Sequence, residues 1–140
     1  SGLQRTIRDL TDELKPHGYT LKQVSDGFIA EHDDGLINIG IWIMPDNLVD
    51  GTIEHWINTL IHPNESNLFN EVKEVVSSLK AKDLQKFKDS RLLKAEISTW
   101  FAWQKSPGHG LDFFFNEPLI ELNHPNYQSF LRWFKSTFNV

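Results

Sequence analysis

The chain has 140 residues, a formal net charge of -5 and a sequence pI of about 5.6. This length is typical of one domain that buries its own hydrophobic core. The absence of cysteine excludes disulfides, zinc ribbons and thiol nucleophiles, and it fits a reducing compartment. The acidic balance excludes a broadly basic surface for nucleic acid, and no apolar run reaches the roughly 18 residues of a membrane span. We therefore expect a cytoplasmic protein that makes no membrane contact.

The first third of the chain predicts one helix and a small sheet. Apolar residues at helical spacing predict an amphipathic helix over residues 3–15. Residues 19–24 favour a short strand or an extended loop. Two apolar runs follow, Gly27–Glu31 and Leu36–Met44, and the sequence HDDG between them predicts a hairpin turn. The second run is nearly continuous in apolar residues, which is typical of a strand covered on both faces, and Pro45 ends it.

The rest of the chain is mostly helical in pattern. Asp50 or Thr52 is expected to cap a helix that runs to about Ile61. Further helices are predicted at about residues 66–79, 89–105 and 125–138, whereas residues 109–124 fit no single pattern.

The predicted fold class is α/β. A small sheet near the N-terminus, formed by a hairpin plus a buried strand, packs with four to five helices. A buried strand needs neighbours, yet every predicted strand lies near the start of the chain. We therefore expect residues 1–140 to be a single domain that lacks its N-terminal strands. Either another chain or a second copy completes the sheet, or helices shield it.

The segment most informative about chemistry runs from Asp46 to Glu54. Asp46 directly follows the apolar strand, and open α/β sheets bind ligands beyond the carboxyl ends of their strands. Glu54 lies one helical turn after Asp50, so both side chains would share a helix face. Mg²⁺ usually takes one or two carboxylates from a protein, and Asp46 with Glu54, or Asp50 with Glu54, would supply them. In the alternative interpretation Asp46 forms a turn, Asp50 caps a helix, and Glu54 is a solvated first-turn acid.

Three separated motifs carry a resemblance to a known family. They are WIMPDN at Trp42–Asn47, GTIE at Gly51–Glu54, and TWFAWQKSPG at Thr99–Gly108. In this order they resemble a bacterial TOPRIM-related family of unknown function, itself related to OLD-type (overcoming-lysogenization-defect) nucleases. The resemblance spans most of residues 3–138. It implies part of a TOPRIM-like fold, a compact α/β domain with a mostly parallel sheet.

The resemblance also implies an activity, the cleavage of phosphodiesters with Mg²⁺ or Mn²⁺. Glu54 and Asp46 would be the catalytic acids that hold a second metal ion, with Asp50 as a further candidate ligand. The first metal site of the family, an early Glu and an Asp-x-Asp, has no counterpart in this chain. Two functions therefore stay open: part of a nuclease-like domain, or a non-catalytic interaction module that keeps the fold without the first metal site.

A cluster of aromatic residues, Trp100, Phe101 and Trp103, lies in a predicted helix. Such residues stack nucleic-acid bases in some proteins. At helical spacing they more often belong to the hydrophobic core. Nucleic acid is therefore a candidate partner only through such a local patch or through a bound metal ion.

Overall fold

The computed structural model describes residues 2–116 and 118–140. Within these residues the protein is α/β, as the sequence predicts, with a three-stranded sheet near the N-terminus and six α-helices. The strands are β1 (Tyr19–Val24), β2 (Gly27–His32) and β3 (Ile39–Ile41). The helices are α1 (Gly2–Leu14), α2 (Ile53–Leu60), α3 (Ser66–Ala81), α4 (Leu92–Ala102), α5 (Leu111–Asn116) and α6 (Pro125–Phe138).

The chain folds into two compact units. Unit 1 comprises Ser1–Trp56 and Asn123–Val140, and unit 2 comprises Ile57–Leu122. Unit 1 contains the sheet with α1 and α6, and unit 2 contains α3, α4 and α5. No helix in the described ranges is both long and apolar enough to cross a membrane.

The sheet has the order β1-β2-β3, and both pairings are antiparallel. The resemblance implies a mostly parallel sheet, which the described strands do not form. The central strand β2 is covered on both faces, because Phe28, Ile29 and Ala30 are all buried although successive side chains point in opposite directions. The sequence predicts a strand covered on both faces over Leu36–Met44, but in the structure that strand is β2.

The prediction of a long buried strand over Leu36–Met44 is wrong in both length and burial. Strand β3 contains only three residues, and it pairs with β2 alone among the described strands. Leu36 is 59% exposed and Ile37 is 87% exposed. Leu36 and Ile37 lie in the irregular connection before β3, and an apolar run is buried only where other elements cover both of its faces. The connection from β2 to β3 spans residues 33–38, which is longer than the predicted tetrapeptide turn.

Helix α6 packs against one face of this sheet. A Cβ at Gly27 would lie 2.4 Å from a ring carbon of Trp133, so only glycine allows this approach. The Trp133 indole Nε1 donates to the Phe28 carbonyl at 3.0 Å. The Trp133 ring also joins an aromatic cluster with Trp42 and Phe130. The first strands and the last helix are thus held together by specific contacts.

Unit 2 has its own aromatic core. Trp100 on α4 is fully buried, and its ring contacts those of Phe69 and Phe114. The core interpretation of Trp100 is confirmed, whereas Trp103 is 42% exposed. The stretch 109–124, which fits no single pattern in sequence, contains α5, and its residue Glu117 lies outside the described residues.

Candidate functional site

The segment Trp42–Gly51, which we name the acidic loop, follows β3 and carries Asp46 and Asp50. Its conformation depends on Asn47, which is only 6% exposed and has a positive φ of 63°. Asparagine tolerates this left-handed backbone better than most residues.

Both ends of the Asn47 side-chain amide are used. Oδ1 accepts a hydrogen bond from the Ile43 N–H at 2.6 Å, and Nδ2 donates to the Asp26 carbonyl at 2.8 Å. The Asn47 N–H donates to the Ile43 carbonyl at 2.9 Å. An amide side chain can accept at one end and donate at the other without carrying a charge. Asn47 therefore fixes the loop internally and ties it to the turn between β1 and β2.

Trp42 fixes the start of the same loop. Its indole Nε1 donates to the Pro45 carbonyl at 3.1 Å. Its ring lies 5.2 Å from the Phe130 ring and 5.4 Å from the Trp133 ring, measured between centroids. Trp42, Pro45 and Asn47 of the WIMPDN motif thus have structural contacts, and this accounts for the motif without any ligand.

The carboxylate of Asp46 is bound to the backbone of its own loop. Its Oδ1 accepts from the Leu48 N–H at 3.0 Å and from the Val49 N–H at 3.2 Å. Asp46 is half-buried, and it follows a loop rather than a buried strand. The turn that the alternative interpretation gives Asp46 is present; its role as a catalytic acid or metal ligand stays a prediction.

Asp50 caps a helix, but a different one from that predicted. Its Oδ2 accepts from the Gly2 N–H at 3.0 Å, and its Oδ1 accepts from the Leu3 N–H, both at the start of α1. The free N–H groups and positive end of a helix attract a carboxylate regardless of its distance along the chain. Helix α2 begins instead after Thr52, whose carbonyl accepts from the N–H groups of His55 and Trp56.

Glu54 is half-buried in the first turn of α2. The expectation that Asp50 and Glu54 share a helix face is wrong, because α2 begins at Ile53 and Asp50 lies outside it. Across residues 2–116 and 118–140, no group of three or more His, Cys, Asp or Glu side chains is arranged to hold a metal ion. A site built from two acids, such as Asp46 with Glu54, stays a prediction.

A cavity of about 280 Å³ lies beside the acidic loop within unit 1. Its walls combine apolar side chains with the Asp50 carboxylate and the Thr6 hydroxyl group. No lysine or arginine is among the described residues that line it, although cations or metal ions usually stabilise the charge of a bound phosphate. The cavity lining therefore offers no side-chain cation to a phosphodiester. The lining residues are Gly2, Leu3, Thr6, Ile43, Met44, Val49, Asp50 and Gly51.

The third motif is organised by an acid that the sequence does not single out. Glu65 Oε2 accepts from the Trp100 indole Nε1 at 3.1 Å and from the Gln104 amide at 3.0 Å. A buried tryptophan N–H requires an acceptor, which is the one signal that points to a partner of this kind. No spacing rule identifies Glu65, because it lies 35 residues before Trp100.

Unit 2 also contains a carboxyl group in an apolar setting. Glu96 on α4 is 9% exposed. Burial raises the pKa of Glu96, and the positive charge of Lys73 opposes this shift in part. The group therefore holds its proton more tightly than an exposed glutamate does.

A family model matches residues 1–139, and its description is "Protein of unknown function (DUF3226)". The chain belongs to this family. Searches of curated proteins and of solved structures found no match. The family match covers all three motifs but assigns no activity, so the likeness to TOPRIM proteins and OLD-type nucleases stays a prediction.

Proposed function

We propose that this DUF3226 member is a protein-interaction module that accepts an extended segment of a partner at the free edge of β3. The observation that carries the proposal is the exposure of this edge. β2 pairs with one side of β3, and no strand in the described part of the chain pairs with the other. Leu36 and Ile37, just before β3, are largely exposed. An open strand edge is a template for a further strand, whose backbone hydrogen bonds supply affinity.

The contacts of the acidic loop favour a binding role over catalysis by this chain alone. The carboxylates of Asp46 and Asp50 already accept hydrogen bonds from backbone N–H groups. A metal ion at Asp50 would compete with these bonds, because both oxygen atoms of that carboxylate accept them. The structural contacts of Trp42 and Asn47 also account for the most conspicuous motif.

Hydrogen–deuterium exchange tests the proposal with a defined probe. The probe is a short, capped peptide of alternating threonine and valine, added in excess at low chain concentration. We expect slower exchange at residues 36–41. A control peptide of proline alone has no backbone N–H group to donate to the ladder, and it should leave exchange unchanged. Unchanged exchange with the first peptide would contradict strand addition at this edge.

The second candidate function is that of part of a TOPRIM-related, divalent-metal-dependent, nuclease-like domain acting on phosphodiesters. Its support is the resemblance in three motifs and the half-buried position of Glu54. Asp46 and Glu54 would hold Mg²⁺ or Mn²⁺, and nucleic acid would be the substrate. Calorimetric titration with Mn²⁺ and an assay of plasmid cleavage test this function, with Glu54→Gln as the inactive variant. Absence of both binding heat and cleavage would eliminate this function for residues 1–140 taken alone.

A further inference from the structure

We infer that the partner at the β3 edge is a second copy of this chain, paired antiparallel about a twofold axis. The inference rests on the proposed interaction function and specifies its partner. A symmetric dimer uses the same surface twice, so the edge must be complementary to itself. Three properties of residues 35–44 meet this requirement.

The first property is the absence of charge. Residues 35–44 contain no acidic or basic side chain. Edge strands that stay unpaired are commonly protected by charged residues, above all lysine. The opposite edge of the sheet, β1, carries Lys22, whose side chain is 52% exposed and ion-paired with Glu31. Because the β3 edge offers no charge, it cannot select a charged partner, whereas a second uncharged edge fits it.

The second property is the pattern of isoleucines. A Cβ at Gly40 would meet Thr137, Phe138 and Trp133 of α6, so Gly40 faces α6 and the side chains of Ile39 and Ile41 point to the other face. In an antiparallel dimer with Ile39 opposite its own copy, Ile37 lies opposite Ile41. Aliphatic pairs of this kind stabilise neighbouring strands. The Tyr19 hydroxyl donates to the Ile37 carbonyl at 3.1 Å, which holds this segment beside the sheet.

The third property is the distribution of charge around the edge. Each copy has a net charge of -5, so two copies repel unless their acidic side chains stay apart. In the register centred on Ile39, Asp34 of one copy lies opposite Met44 of the other, and Asp33 lies opposite Pro45. A parallel arrangement would place the same aspartates side by side. The antiparallel dimer thus avoids direct opposition of like charges.

Apolar surface also continues onto α6. Phe138 lies next to the position that a Gly40 Cβ would occupy, and it is 46% exposed. Its ring is 4.9 Å from the ring of Phe134, which is also exposed. Strand pairing would therefore bury apolar side chains on both faces of the extended sheet, which favours association.

Sedimentation velocity over a range of concentrations tests the inference. We expect the native chain to dimerise, and Ile37→Lys to weaken the dimer by at least about tenfold, because two copies of a charge enter an apolar pairing. The matched control is Thr20→Lys, which places the same side chain at an exposed position on β1. Its dimer should be as stable as that of the native chain. Circular dichroism melting verifies that both variants fold.

The outcomes separate the two proposals. A native chain that stays monomeric at all concentrations would overturn the second-copy inference. If the threonine–valine peptide still slows exchange at residues 36–41, the interaction function survives with a different partner. If it does not, both proposals fail. A dimer that resists Ile37→Lys, or that Thr20→Lys disrupts, would also overturn the inference, because its interface would lie elsewhere.

Discussion

Two consecutive segments of unit 1 differ in how far their groups are already used in contacts within the chain. Residues 36–39 are exposed and mostly aliphatic, and β3, which begins at Ile39, pairs on one side only among the described strands. The acidic loop that follows binds its polar groups internally, through Asn47, Asp46 and Trp42. Structural contacts thus explain the motif residues of the acidic loop. The exposed surface lies instead in the aliphatic segment before it. Residue types that resemble a catalytic motif do not identify a site until their hydrogen bonds are known.

The largest expected effect is that of Asn47→Ala. The change removes the acceptor of the Ile43 N–H and the donor to the Asp26 carbonyl, both in a largely buried setting. Alanine is also strained at a φ of 63°. We expect a loss of about 2–3 kcal/mol in the free energy of unfolding, measured by urea denaturation. A loss below about 0.5 kcal/mol, the range of ordinary surface changes, would show that the loop does not depend on Asn47.

Asp50→Ala should have a smaller effect. It removes the cap of α1 and leaves the N–H groups of Gly2 and Leu3 to water. Loss of a helix cap typically costs about 1 kcal/mol. Urea denaturation measures the loss, and exchange at the first turn of α1 should become faster. If Asp50 instead serves mainly to bind metal, the variant should keep its stability and lose Mn²⁺ binding.

Glu96 is a carboxylate outside both segments. Glu96→Gln should raise the stability at neutral pH, whereas the two preceding variants should lower it. Burial raises the pKa of Glu96 above its ordinary value of 4.5. The protonated group therefore favours the folded state at pH below that value, and this contribution is lost as the pH rises through the raised folded-state pKa. At neutral pH the variant should thus melt at a slightly higher temperature than the native chain. The gain should vanish in acid, and a variant that melts lower at neutral pH would contradict this reasoning.

The smallest expected effect is that of Ile37→Lys on folding. Ile37 is 87% exposed, and surface substitutions usually change the free energy of unfolding by no more than about 0.5 kcal/mol. Urea denaturation at a concentration where the chain is monomeric measures this. A loss above about 1 kcal/mol would mean that the Ile37 side chain stabilises the folded monomer. Residues 36–41 would then no longer differ from the acidic loop in their contribution to folding.

Local patterns predict most of the secondary structure. The helices α1, α3, α4 and α6 follow from apolar spacing and from breakers, because these signals act within a few residues. The short helix α5 lies in the stretch 109–124, where no apolar period is long enough to indicate it.

The arrangement of the acidic loop depends on distant partners. The groups capped by Asp50 lie 47 and 48 residues before it, and the Asp26 carbonyl bound by Asn47 lies 21 residues before it. The exposure of residues 36–37 likewise depends on which strands are neighbours. Neither property has a local pattern, so the sequence indicates the residue types but not their contacts.

The composition of unit 1 has a consequence for the order of folding. Its sheet comes from the early part of the chain and its covering helix α6 from the last part, with unit 2 between them. During synthesis unit 2 leaves the ribosome complete, while the face of the sheet that carries Ile29 still lacks the side chains of α6 that cover it. Until α6 has been synthesised, the nascent sheet exposes apolar surface of the kind that promotes aggregation.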